Sequence, residues 1–282
     1  MRNPQRSQKI AFFFIFLATL LIVLPVGLIV VIIIQKGLPA INWQFLSDIP
    51  RLGMRAGGIF PAIIGTFYLV LGAIIFALPI GLLAAIYLSE YAKDNLLNRI
   101  IKLAIVNLSG VPSVVYGLFG LALFVVFLKF GASILSGSLT LGIMILPIII
   151  TTSREALESV PQSFREVSLS LGASKWQTIR HIVLPNAIPG ILTGTILGLG
   201  RAAGETAPIL FTVAAFYLPR LPKSIFDQAM ALPYHLYVIS TQVPNVDEKI
   251  RYGTALVLLS LVLFMNLVAI IIRYNFRKRK QW

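Results

Sequence analysis

Residues 10–34 form an unbroken run of 25 residues without a charged side chain. As an α-helix at about 1.5 Å per residue, such a run is long enough to cross the ~30 Å hydrocarbon layer of a bilayer. Five further apolar runs follow, at residues 59–89, 103–128, 134–153, 187–216 and 254–272. Only the run at 187–216 contains charges, Arg201 and Glu205. The predicted fold class is all-α, a polytopic membrane bundle of six transmembrane helices. A secretory signal carries an apolar core of only about 7–15 residues before a small-residue cleavage site. The first run fits neither feature and is expected to remain as a span.

Composition narrows the function classes. Hydrophobic residues make up 57% of the 282 and charged residues 12%, about half the ~25% charged share of a soluble domain. An ordinary soluble enzyme, a disordered regulator and a collagen-like fibre are excluded. The absence of cysteine excludes a disulfide scaffold, a thiolate metal site and a thiol redox motif. The net charge of +14 does not point to nucleic acid, because the basic residues fall in short clusters between the spans, where they set topology. With the N-terminus in the cytoplasm, inside segments hold 15 Lys and Arg and outside segments hold 8. Both termini are therefore expected inside, with the basic tail after residue 272 facing an anionic leaflet.

Two outer segments are long, residues 35–58 and 217–253. Within the second, the apolar stretch 230–239 is interrupted by Pro233. Two readings stand open for it: a segment along the membrane surface, or a packed loop over the span ends. The long inner loop, about 154–186, reads as helix, tight turn, helix. Pro161 suits a first helical turn, and Phe164, Val167 and Leu171 make one apolar stripe. Gly172 can end that helix in the left-handed conformation. Ser174 and Gln177 have the spacing of a capping box, and Pro185 is expected to end the second helix. Such a pair could dock a soluble partner or could pack only on its own bundle.

Arg201 and Glu205 are spaced i, i+4, so one helix face can carry both and they can partly neutralise each other. A lone charge at the centre of a span costs ~2.5–3.5 kcal/mol even on the lenient insertion scale. Pro208 lacks a donor and clashes with the carbonyl of Gly204, which predicts a kinked or opened helix there. Opened backbone at membrane depth is the pattern of transporter binding sites. The pair reads either as a structural counter-ion or as a polar pathway, in which Arg201 grips a tetrahedral oxyanion with two donors. Nothing else in the chain offers chemistry. No Gly-Lys dipeptide is present for a phosphate-cradling loop, no Gly-x-Ser-x-Gly elbow occurs, and His181 and His235 lack acidic neighbours for a metal site.

Three motifs carry a family resemblance. Glu166-Val167-Ser168, three residues, Gly172, nine residues and Ile182-Val183-Leu184-Pro185 resembles the loop signature of the membrane subunits of bacterial ABC importers, with Val167 and Ser168 in place of its two alanines. The stretch from Gly200 to Pro208 and that from Val111 to Gly120 resemble the permeases of phosphate importers, the PstA-type subunit in particular. The resemblance implies a type I ABC importer permease fold, with the loop serving as the coupling helix through Glu166, Gly172, Leu184 and Pro185. It also implies a substrate pathway at Arg201, Glu205 and Thr206, and division into residues 1–58 and a permease core at 59–282. Implied partners are a paralogous permease (PstC-type), a pair of ATPase subunits (PstB-type), an external phosphate-binding protein (PstS-type) and membrane lipid, with no nucleic acid. No cofactor is expected in this chain, since ATP with its magnesium belongs to the ATPase partner. Two alternatives stay open: a permease for another oxyanion such as sulfate or molybdate, and an ion-coupled secondary transporter in which Glu205 carries a proton.

Overall fold

In hydrocarbon every backbone polar group must be bonded internally, and this chain does so almost wholly with helices. The computed structural model describes residues 4–278. Arg2 and the tail residues Arg279 and Lys280, counted above among the inner charges, lie outside the described residues. Helix α1 (Pro4–Gly37) leads to a short α2 (Trp43–Ser47), whose first turn is capped by the Asn42 side chain accepting from the Phe45 amide. A small antiparallel hairpin, β1 (Pro50–Arg51) and β2 (Ala56–Gly57), precedes α3 (Phe60–Ile86), which a π turn extends over Tyr87–Tyr91. Next come α4 (Leu96–Leu108), α5 (Ser113–Gly120) with a π extension to Phe127, and α6 (Ile134–Glu158). The inner loop holds α7 (Gln162–Ser170) and α8 (Lys175–Thr178), then a π turn at Ile179–Val183. The chain continues as α9 (Leu184–Gly204), α10 (Ala207–Thr212), α11 (Leu232–Thr241) and α12 (Glu248–Lys278).

Among the described residues, five helices are long and apolar enough to cross a membrane, and the bent pair α4–α5 brings the number to six. That bent pair corrects the reading of residues 103–128 as one span. The chain turns by 102° between Leu96–Leu108 and Ser113–Phe127. The cause is local: Pro112 has no N–H to donate, disfavours helix at the residue before it, and itself sits at ψ 140°.

The core lies where α6 runs between α3 and α9. Association in lipid depends on close packing rather than on expelling water, and small residues supply it here. A methyl group on Gly142 of α6 would lie 2.6 Å from the Phe76 ring of α3. Helix α1 packs mainly along α12, and its side chains Phe14, Phe16 and Leu21 stand exposed, a surface suited to hydrocarbon. Of the two readings of residues 230–239, packing holds. Met230, Leu232, Val238 and Ile239 join the buried core, the Met230 carbonyl rests on Gly65, and the Leu232 amide donates to the Thr66 hydroxyl over 2.8 Å.

Candidate functional site: a broken helix end and the loop that leads to it

The inner loop has the predicted helix, turn, helix form. Pro161 stands just before α7 as its N-cap, and Gly172 turns the chain at φ +84°. Ser174 accepts from the Gln177 amide while the Gln177 side chain accepts from the Ser174 amide, a complete capping box. Ser168, one of the two departures from the family pattern, shares a 2.9 Å hydrogen bond with Thr178 and ties α7 to α8. The apolar stripe divides, however. Phe164 packs inward on the cluster around Leu157 and Ile179, whereas Val167 and Leu171 are 59% and 82% exposed, together with Trp176. Glu166 also stands exposed. The outward side of the loop is thus a largely apolar surface that none of the described residues of its own bundle covers.

Pro185 does not end the second helix. Lys175–Gly204 is one helical run of 30 residues, bonded through the π turn, where the Leu184 amide reaches back to the Ile179 carbonyl. That wider spacing re-frames the hydrogen-bond ladder immediately ahead of Pro185, so the ring falls in the first turn of a new frame, where a missing N–H costs little. Leu184 packs on the inner cluster. Of the four residues that the loop motif marks, Leu184 and Pro185 lie in the run continuous with α9, whereas Glu166 lies on α7 and Gly172 at the turn between.

At its other end α9 stops at Gly204. Glu205 is extended at φ −76°, ψ 137°, Thr206 caps α10 without a side-chain bond to it, and Pro208 is the second residue of α10. The run 187–216 is thus a helix, a break and a short helix, with Arg201 one turn from the break rather than midway along an unbroken span. The break exposes carbonyls at the end of α9 and amides at the start of α10. Arg201 Nε lies 3.4 Å from Glu205 Oε1, longer than the ~2.7–2.9 Å of a tight charged bond. The side chains are 31% and 18% exposed, so the chain itself leaves the pair partly open. The contact uses Nε, so the two terminal nitrogens, the fork that grips oxyanions, are not what holds Glu205.

The second motif is brought to the same place. In α5, Gly117 lies against Ala207, Pro208 and Phe211 of α10. The neighbouring Tyr116 hydroxyl donates to the Leu108 carbonyl over 2.8 Å. Thr206 is half-buried at the break, directly after Glu205.

Two polar contacts onto α9 escaped the sequence reading. Asn266 of α12 faces Gly200, 3.4 Å from where a Cβ would stand, and its buried Oδ1 has no hydrogen-bond partner among the described residues. Its signal was available: it is the one amide in the apolar run 254–272. Arg273, counted above as a topology charge, donates to the Thr193 hydroxyl of α9 over 3.0 Å.

Residues 77–282 match the family model of the binding-protein-dependent transport system inner membrane component. The probable ABC transporter permease protein YqgI of Bacillus subtilis is 34% identical, over 89% of this chain and 90% of its own. Phosphate transport system permease protein PstA 1 of Mycobacterium tuberculosis is 36% identical, over 80% and 73%. The probable phosphate transport system permease protein PstA of Methanocaldococcus jannaschii is 33% identical, over 91% and 90%. In fold, the chain resembles the inward-facing MetNI methionine ABC transporter (TM-score 0.60, 16% identity, 78% of this chain and 94% of that one). It also resembles a bacterial ABC transporter that imports alginate (TM-score 0.60, 17% identity, 94% and 96%).

Proposed function

The chain belongs to the binding-protein-dependent transport system inner membrane components, and from that membership we propose that it is a PstA-type permease subunit carrying inorganic phosphate into the cytoplasm. It is a multi-pass membrane protein and not itself an enzyme; in its family ATP is hydrolysed by separate subunits, a binding protein delivers substrate and a second permease completes the pathway. The finer assignment of these partners as PstB-, PstS- and PstC-type chains, with ATP and magnesium on the first, follows from the phosphate reading. The orientation with both termini inside, read from the distribution of positive charge, puts the exposed Val167, Leu171 and Trp176 on the ATPase side. Membership of an ATP-driven family takes the place of the ion-coupled reading of Glu205.

The observation that carries the proposal is the loosely held Arg201–Glu205 pair at the opened end of α9. A phosphate oxyanion arriving there meets a guanidinium whose charge is already partly desolvated and whose fork is not spent on Glu205. Glu205 keeps Arg201 compensated between transport events, since an unpaired charge in the membrane is costly. Thr206 and the freed amides of α10 supply neutral donors beside it. The test is the assembled complex in liposomes with its external binding protein, assayed for ATP hydrolysis and uptake with phosphate, sulfate and molybdate. Phosphate alone should stimulate both. Stimulation by sulfate or molybdate, with none by phosphate, would move the chain to another oxyanion.

A further inference from the structure

The most buried ion pair among the described residues lies not beside Arg201 but under the inner loop. Glu90 and Arg165 side chains are 7% and 12% exposed. Arg165 Nη2 donates to Glu90 Oε1 over 2.7 Å, and its Nε lies 3.2 and 3.3 Å from the two carboxylate oxygens. The remaining donors reach the end of α6: Nη1 donates to the Val160 carbonyl over 2.6 Å and Nη2 to the Leu157 carbonyl over 2.8 Å. Carbonyls at a helix C-terminus lack intrahelical partners and carry partial negative charge, so a cation is favoured there. Glu90 belongs to the π turn that extends α3. One guanidinium thus joins three elements: the end of α3, the end of α6, and α7.

Little else holds α7 down. It has no buried residue. A cavity of about 510 Å³ opens beside it, lined by Glu158, Gln162, Lys175 and the ion pair itself, so α7 is not packed flush on the bundle. Its other ties include the half-buried Phe164, contact with the π turn at Ile179–Val183 and the Ser168–Thr178 bond. A short helix fixed mainly at one buried point, over a cavity, can swing if that point is released.

We propose that Glu90 and Arg165 are positioning residues that fix α7 to the α3–α6 pair, so that movement of a docked ATPase is passed to the bundle rather than absorbed by α7. The inference rests on the transporter reading above. Lysine could not replace Arg165, because an ammonium cannot span one carboxylate and two carbonyls in a plane.

The experiment uses the assembled complex and two readouts: amide hydrogen exchange over residues 162–170, and phosphate carried per ATP hydrolysed. Glu90→Gln keeps the shape and removes the charge. It should speed exchange in α7 by roughly tenfold or more, since breaking a buried pair leaves the other charge uncompensated. Exchange in α6 should be unchanged, and ATP hydrolysis should continue while phosphate carried per ATP falls. A second variant, Glu90→Cys with Arg165→Cys, guards against misfolding of the first. The chain has no native cysteine, so a short, reducible bifunctional thiol reagent bridges only these positions within it. Bridging should restore slow exchange and coupling, and reduction should abolish both. Exchange in α7 within about twofold of wild type in Glu90→Gln, or a bridge that restores neither readout, overturns the proposal. The exchange readout needs no substrate. A wild-type complex that phosphate fails to stimulate would count against the substrate reading alone.

Discussion

Gly117 of α5 and Pro208 of α10 are packed so closely that a methyl group on Gly117 would lie 3.0 Å from the Pro208 Cα. The same methyl would meet the Ala207 carbonyl at 3.1 Å and the Phe211 ring at 2.7 Å. Two of these three neighbours are backbone and cannot rotate aside. Gly117→Ala should therefore push α10 away and disturb the break that holds Glu205 and Thr206. Overpacking of this kind costs ~1–3 kcal/mol, and phosphate uptake should fall about tenfold or more at equal membrane abundance. Unchanged uptake would show that the α5–α10 contact has no part in the pathway.

Arg201→Lys keeps the charge and changes its geometry. A structural counter-ion to Glu205 would tolerate the change, because an ammonium at the same depth balances a carboxylate. A phosphate grip would not, since lysine lacks the planar two-donor fork. Loss of a charged hydrogen bond is worth ~1.5–3 kcal/mol, or roughly ten- to a hundred-fold at limiting phosphate. Initial uptake rates in liposomes, normalised to inserted protein, decide between the two.

Gly172 separates strain from space. It lies at φ +84°, and a Cβ there would meet nothing within 4 Å. Within the chain, a substituted side chain there meets backbone strain at its Cβ and no steric contact. Gly172→Val should impair transport and weaken ATPase association, because a β-branched residue is penalised at positive φ. Gly172→Asn should stay near wild type, since asparagine accepts the left-handed region. Equal activity of both variants would remove the turn from the coupling mechanism.

The isolated chain in lipid should show no saturable ATP hydrolysis, for want of a phosphate-cradling loop. Hydrolysis by the purified chain, surviving removal of contaminants, would contradict its place as a permease subunit.

Helices were legible wherever one residue type controls one local geometry. Gly172, the Ser174–Gln177 box and the break ahead of Pro208 depend only on near neighbours in sequence, and each appears as the sequence predicts. Pro112 carried the same kind of signal, yet the uninterrupted apolarity of residues 103–128 hid the 102° turn it causes. Pro185 misled in the opposite direction, because the π turn at Ile179–Val183 absorbs its defect and nothing in residue identity announces a π turn. The Glu90–Arg165 pair lies 75 residues apart, and Asn266 meets Gly200 from another helix. Such contacts arise from packing, which no local periodicity encodes. At the site, sequence marked Arg201 and Glu205 and even their partner motif in α5. The loose 3.4 Å geometry, and which nitrogen makes it, required coordinates.

The helical run from Lys175 to Gly204 joins the loop to the substrate site as a single body about 45 Å long. A continuous run of that kind can carry a change of posture from one end to the other. On the proposed reading, if phosphate at the Arg201 end changes the affinity of the ATPase for the loop end, the ATPase changes the affinity for phosphate by the same factor. Nutrient and motor are then each other's effectors, with no messenger between them.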